Sequence, residues 1–376
     1  MYTIIGAGIG GLTTALVFEK LNIKYQLFEK AKGPNALGAG IWLAPNALQV
    51  MEFAGVLDTV TKVGNVVNRI TLANQKLKPL ADSSQLPAKE KYGFSTLAIH
   101  RAKLQLALIQ SIPKEKIHWN KAFKFFKEEQ DALTIAFQDG STIKSKYLIA
   151  ADGIDSKVRA QLFPKSKIRY SGQTCWRGVM QHPLPLEFKD RGIEMWGKGI
   201  RFGLSQLSET ETSWFAVKNS KAFQKDDKTV LKNKLTFYFK EFHPLVNELI
   251  NKTEINHILR NDITDLKPIK SWQKGNICLI GDAAHATTPN MGQGGAQAIE
   301  DAYYLGKLIA KHPNKNNFEQ FEKKRFKRVN SIVKQSWFTG KIANLNTGTA
   351  IRNAIFSTIP KKMIDRNMYS VYDLKD

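Results

Sequence analysis

A chain of 376 residues, 43% of them apolar, has material for a large core and about two domains, which excludes a disordered protein. The formal charge of +23 is carried by lysines and arginines scattered along the sequence. Without zinc-finger spacing or an aromatic ribonucleoprotein signature, it argues against nucleic acid and for a field that draws in anionic small molecules. Cys175 and Cys278 stand far apart, so neither a disulfide framework nor a metal site is expected.

The chain opens on "MYTIIGAG", a strand from the outset. No secretory leader is expected, and no apolar run reaches bilayer length, which reads as a cytoplasmic protein without integral membrane association. In "YTIIGAGIGGLTTALVFEKLNIKYQLFEK" the strand runs into Gly6-x-Gly8-x-x-Gly11, a helix follows, and a second strand ends at Glu29. This is a complete βαβ dinucleotide fingerprint. Gly6 permits the tight turn, Gly8 lets a pyrophosphate approach the backbone, Gly11 allows close helix packing, and Glu29 can accept from ribose hydroxyls.

Further on, "KSKYLIAADGIDSKVRAQL" is an apolar strand ending in Asp152-Gly153, with Ser156 and Arg159 in the first turns of a helix. Alternating stretches such as "GIRFGLSQL" and "TSWFAVK" within residues 71–97 and 169–267 predict antiparallel strands. Then "NICLI" leads into "GDAAHATTPNMGQGGAQAIEDA", a strand tip with Asp282 and a glycine-rich turn into a helix. Such a helix start offers free N–H groups and a partial positive charge. From about residue 321 the charged "FEKKRFKRVNSIVKQSW" predicts an amphipathic helix, with the tail packing back on the body.

Together these motifs resemble the class A flavin-dependent monooxygenases, the group of p-hydroxybenzoate, salicylate and urate hydroxylases. The resemblance spans nearly the whole chain and includes "GAGIWLAPNAL", "HRAKLQLAL", "CWRGV" and "FEKKRFKRV". It implies an α/β fold: a discontinuous FAD-binding Rossmann-like domain (residues 1–70, 98–168 and 268–320), an antiparallel substrate sheet (71–97 and 169–267) and a C-terminal helical segment (321–376). It also implies noncovalent FAD held by Gly6, Gly8, Gly10, Gly11, Glu29 and Lys30. Arg101 would reach FAD as a cation, and Phe123 would offer a backbone contact to adenine. Asp152 is associated with both FAD and nicotinamide contacts. Asp282 would accept from the ribityl hydroxyls, and Gly292, Gln293, Gly294, Gly295 and Ala296 would aim N–H groups at the pyrimidine edge of the flavin. His285 and His100 are expected to be hydrogen-bonded structural residues.

No second dinucleotide fingerprint occurs, so NADH or NADPH is expected to act as a transient co-substrate with O2. The resemblance implies oxygen transfer through a flavin C4a-hydroperoxide to a small aromatic or heteroaromatic ring. Arg201 is the expected anion anchor, with Arg177 as its rival and Phe202, Trp214 and Phe215 as pocket candidates. Trp214 falls near a tyrosine of urate hydroxylases, a departure that counts against urate. Alternatives within the fold are oxidation of a non-phenolic compound, as in tetracycline inactivation or epoxidation. An alternative of another class is a redox-inert binding protein. The Trp-x-Trp-x-Ile-Pro motif of flavin halogenases is absent.

Overall fold

The computed structural model describes residues 1–34, 38–130 and 132–374. Its first sheet has six strands in the order Gln273–Lys274, Ile277–Leu279, Tyr147–Ala150, Tyr2–Ile5, Tyr25–Phe28, Ile117–His118. Four of the five pairings are parallel; only the edge pair Gln273–Lys274 with Ile277–Leu279 is antiparallel. All residues of Tyr2–Ile5 and Tyr147–Ala150 are buried, as expected of parallel strands covered on both faces, where period-two alternation disappears. One cover is the helix Ile9–Lys20, which packs on the helix Gly294–Lys311. They come so close that a Cβ at Gly306 would lie 2.4 Å from Val17 Cγ1.

The second large sheet has seven strands in the order Leu259–Leu266, Ile168–Met180, Thr212–Asn219, Ile200–Gln206, Arg191–Trp196, Arg69–Asn74, Pro79–Ser84. All neighbours are antiparallel except Arg191–Trp196 with Arg69–Asn74. Its outer face carries Trp176, Phe202, Leu204 and Trp214, sealed by Phe239, Val246 and Leu249 from the helices Leu231–Tyr238 and Pro244–Lys252. Its inner face looks toward the first sheet through the strand Gly40–Leu43. Gly40 N donates to Ser213 Oγ at 3.0 Å and Trp42 Nε1 to Ser205 Oγ at 3.0 Å.

Two features depart from the strand-only expectation for residues 71–97 and 169–267. The second segment includes the two covering helices, and Thr96–His100 pairs with Gly40–Leu43 and Gly64–Val67 in a separate three-stranded sheet. A one-sided apolar sheet must be covered by something, and the chain supplies that cover from within the same segment.

The long helix Phe318–Ala343 is followed by the helices Thr349–Thr358 and Lys361–Tyr369. These run along the edge strand Pro79–Ser84, where Tyr369 Oη donates to Ser84 O at 2.6 Å. Covering this edge with the chain's own tail removes a template for strand addition. Among the described residues no helix is long and apolar enough to cross a membrane.

Candidate cofactor and substrate site

At the end of Tyr2–Ile5, Gly6 adopts φ +105° and a Cβ there would lie 2.4 Å from Ala151 O. Gly11, one turn into the helix, sits against Gly6 itself: its Cβ would be 1.9 Å from Gly6 O. These two positions are closed by backbone, so only hydrogen fits. Gly8, the N-cap, has no atom within 4 Å of a built Cβ; the space above it is open. Gly10 approaches Ala298 of the Gly294–Lys311 helix at 3.3 Å.

Glu29 lies at the tip of Tyr25–Phe28. Its carboxylate accepts from Ala7 N at 2.6 Å and Ala31 N at 2.9 Å, which fixes it across the mouth of the turn with one lone pair on each oxygen to spare. Lys30 is exposed. Phe123 starts the strand Phe123–Glu128 and its ring is buried in the main core, so the side chain is not presented to a ligand. The preceding loop is tied to Glu29 through Lys121 N to Glu29 O at 2.7 Å. Arg101 opens the helix Arg101–Gln110 and is exposed, with no ion pair among the described residues. One turn along, Gln105 Nε2 donates to Ala7 O at 2.8 Å, clamping the glycine turn from a residue that its sequence context did not single out.

The Asp-Gly and Gly-Asp motifs are joined by Arg159. Its guanidinium is buried at 4% exposure, donates from Nη1 to Ala283 O at 3.1 Å and from Nη2 to Ile154 O, and so ties one strand tip to the other. Burial lowers its pKa, opposed by Asp152, Asp155 and Asp282 around it. Asp152 Oδ2 accepts from Val158 N at 3.3 Å, whereas Oδ1 is buried without a partner; burial raises this carboxyl above its ordinary value. Asp282 begins a short helix after Gly281 and stays exposed.

Beneath the glycine-rich turn runs a buried polar network absent from the sequence expectations. Arg325 of the long helix reaches Glu300 Oε2 and Asp301 Oδ1, the latter at 2.8 Å, and Gln297 Oε1 at 2.7 Å. Asn46 Nδ2 donates to Glu300 Oε1 at 2.6 Å and Gln293 Oε1 at 3.1 Å. Asp301 Oδ2 accepts from Gly281 N at 2.9 Å and lies 2.6 Å from His285 Nε2. His285 is therefore held as a structural residue, and His100 likewise caps its helix by accepting from Ala102 N at 3.2 Å.

Burial alone raises the Asp301 carboxyl, but His285 and Arg325 outweigh it and hold the pKa below the ordinary carboxylate value. A carboxyl with a depressed folded pKa adds stability that is complete above the unfolded value, about 3.9, and is lost as pH falls through the folded one. Asp301→Asn is expected to lower stability at neutral pH and to flatten its decline below about pH 4. Urea unfolding across that range checks this; an acid limb as steep as in the parent chain assigns the decline to other carboxyls.

On the substrate sheet, strand alternation divides the candidates. Neighbouring residues on a strand point to opposite faces, so the pairs Arg201-Phe202 and Trp214-Phe215 cannot both line one pocket. Phe202 and Trp214 are corrected to the outer face: their rings stack at a centroid distance of 5.4 Å within the helix-covered core, and Trp214 Nε1 donates to Thr253 Oγ1 at 2.8 Å. Phe215 lies on the inner face across Gly203, where a Cβ would meet its ring at 2.1 Å. Arg177 shares that face but turns toward exposed Asn261 on the outermost strand.

Arg201 is 2% exposed. Nη1 donates to Glu194 Oε1 at 3.0 Å, Nη2 reaches Asn290 Oδ1, and Nε is buried without a partner. Asn290 belongs to the turn that leads through Gly292, at φ +62°, into the helix from Gly294. Arg201 thus joins the inner face of the sheet to the glycine-rich turn. A Cβ at Gly295 would lie 3.1 Å from Ile41 Cδ1, and Gln293 is buried in the network below.

The residues present suit a flavin dinucleotide. The helices from Ile9 and Gly294 both lack a side-chain N-cap, which leaves their first-turn N–H groups, Ala296 included, to an outside acceptor. Gly8 leaves open space for a diphosphate, and Asp152 Oδ1 is a buried acceptor in want of a donor.

Comparison with known proteins agrees. Residues 2–336 match the family described as FAD binding domain. The chain is 32% identical over 365 residues to the aurachin C monooxygenase/isomerase of Stigmatella aurantiaca, covering 96% of this chain and 95% of that one. It is also 32% identical over 365 residues to the 2-heptyl-3-hydroxy-4(1H)-quinolone synthase of Pseudomonas aeruginosa, covering 95% and 94%. The crystal structure of Klebsiella pneumoniae HpxO complexed with FAD and uric acid superposes with a TM-score of 0.91 at 26% identity, over 99% of this chain and 96% of that one.

Proposed function

The chain belongs to the FAD binding domain family, an FAD-dependent monooxygenase among monooxygenases, and from that premise we propose that it uses NADH or NADPH and O2 to hydroxylate a small heteroaromatic ring. The observation that carries the reading is the apposition of the inner sheet face to the glycine-rich turn, made by Arg201 on one side and Asn290 on the other. A flat ring lying between the sheet face and the turn, beside this pair, would have Phe215 and Gly203 beneath it and the N–H groups of the turn at its edge. One relative is named a monooxygenase and the other the synthase of a hydroxylated quinolone, which supports oxidation of a nitrogen-containing ring.

Bound FAD supplies the redox and oxygen-transfer chemistry, for which no side-chain nucleophile is required. This chain's residues do the rest. The first-turn N–H groups after Gly8 would hold the diphosphate, Glu29 a ribose, Arg101 a phosphate and Asp282 the ribityl hydroxyls. The helix start at Gly294 would stabilise negative charge at the pyrimidine edge. The helix-sealed outer face and the tail keep the sheet rigid and exclude water from behind it. NADH or NADPH would visit without a second binding domain, in the cytoplasm.

Purified protein is expected to be yellow and to release one FAD on denaturation. Asp282→Ala should weaken FAD binding by about 1–3 kcal/mol, the scale of a buried hydroxyl losing its acceptor. Fluorescence titration of the apoprotein measures it, and an unchanged dissociation constant returns Asp282 to the role of a helix start. A screen of neutral and acidic heteroaromatics for stimulated NAD(P)H oxidation, with products identified by mass spectrometry, tests the reaction. Failure of every ring class to stimulate oxidation in FAD-replete protein would overturn it.

A further inference from the structure

Arg201, a buried cation of the inner sheet face, is not a free charge. Glu194 Oε1 accepts both from Arg201 Nη1 at 3.0 Å and from Trp196 Nε1 at 2.8 Å, while its side chain keeps 28% exposure. Trp196 is itself fixed, with Phe356 of the Thr349–Thr358 helix edge-on to it at 4.9 Å and the Arg352 guanidinium over its ring at 5.1 Å. On the other side, Asn290 Nδ2 donates to Thr288 Oγ1 and to Ser336 O, each at 2.8 Å. A carbonyl can only accept, so the amide must turn its oxygen to Arg201. The guanidinium is thereby locked between a carboxylate and an amide oxygen, and its Nε is left buried with no partner.

We propose that Glu194 is a specificity-determining residue that cancels the charge of Arg201, so that the site takes a neutral heteroaromatic with a polarised carbonyl and discriminates against carboxylates and other anionic rings. The proposal rests on the heteroaromatic reading above and names the charge class of its substrate. An anion brought to Arg201 would also feel the carboxylate of Glu194, which lies 3.0 Å from Nη1, and the two Coulomb contributions oppose each other. A neutral carbonyl meets no such repulsion and can accept from the spare Nε–H, a charge-assisted hydrogen bond without the cost of stripping water from an ion. Of the other cations of that face, Arg177 is directed at Asn261 on the exposed outer strand and Arg169 is paired with Asp265.

The test is ligand binding to the oxidised holoprotein, followed by calorimetry and by perturbation of the flavin absorbance, so that turnover is not needed. The probes are a 2-alkyl-4-quinolone and the 2-alkylquinoline-4-carboxylate of equal chain length. The parent protein is expected to bind the quinolone at least about tenfold more tightly, a difference of about 1.4 kcal/mol. Glu194→Gln keeps an acceptor for Trp196 and Arg201 but removes the charge. It should tighten the carboxylate about tenfold and change the quinolone less than about threefold. Tighter binding of the carboxylate by the parent protein overturns the proposal without recourse to any variant, as does an unchanged selectivity ratio in Glu194→Gln that retains its FAD. If neither probe binds the FAD-replete parent protein, this proposal fails, while the heteroaromatic reading is decided by the ring screen above.

Discussion

Replacing Arg325 by methionine is expected to destabilise the protein by about 3–5 kcal/mol, the range for removing one partner of a buried ion pair. Arg325 is 1% exposed and reaches Glu300 and Asp301, whose side chains are fully buried. Without the guanidinium both carboxylates remain in the interior with only His285, Arg328 and amide donors as partners. One of them must take up a proton, or the helix ends must part. The same change is expected to weaken FAD retention, because Gln297 and Gln293 hold the glycine-rich turn from below and Arg325 holds Gln297. Thermal unfolding with and without added FAD separates the two effects. A loss below about 1 kcal/mol would place Arg325 among surface ion pairs, whose contribution is of that size.

The second large effect contrasts two glycines of one motif. Gly11→Ala sets a Cβ at 1.9 Å from Gly6 O, and backbone cannot step aside without parting the first helix from its strand. A loss of about 3 kcal/mol or more is expected, the upper range for overpacking a core, together with loss of FAD. Gly8→Ala meets no atom within 4 Å, so apoprotein stability should change by less than about 0.5 kcal/mol, as at an unhindered surface site. Its FAD dissociation constant should nevertheless rise tenfold or more, by about 1.4 kcal/mol, since the methyl occupies the approach of the diphosphate. Chemical unfolding of both apoproteins and FAD titration of Gly8→Ala check the pair. If Gly8→Ala binds FAD as the parent does, the diphosphate lies elsewhere; if Gly11→Ala is as stable as the parent, the close approach is dispensable.

The sequence by itself determined the family, the α/β class and the presence of an FAD-type turn. Those properties rest on local chemistry: a buried parallel strand reads as an apolar run, and a tight turn against a second backbone admits only glycine, as at Gly6 and Gly11. What it left undecided were the faces of the substrate sheet and the partners of buried charges. Phe202 and Arg201 are neighbours in sequence, yet strand geometry sends one to the helix-sealed core and the other to the glycine-rich turn. The helices that fix which face is sealed, Leu231–Tyr238 and Pro244–Lys252, lie well beyond Phe202 in the chain, and nothing local to Phe202 announces them. The ion pair of Arg201 with Glu194 and the links of Arg325 to Glu300 and Asp301 join strands and helices that meet only when the chain is packed. A charged residue in a sequence carries its sign with it, but whether that sign is presented to a ligand or cancelled within the protein depends on which side chains the tertiary structure brings within hydrogen-bond reach, because desolvated charges persist only where they are paired.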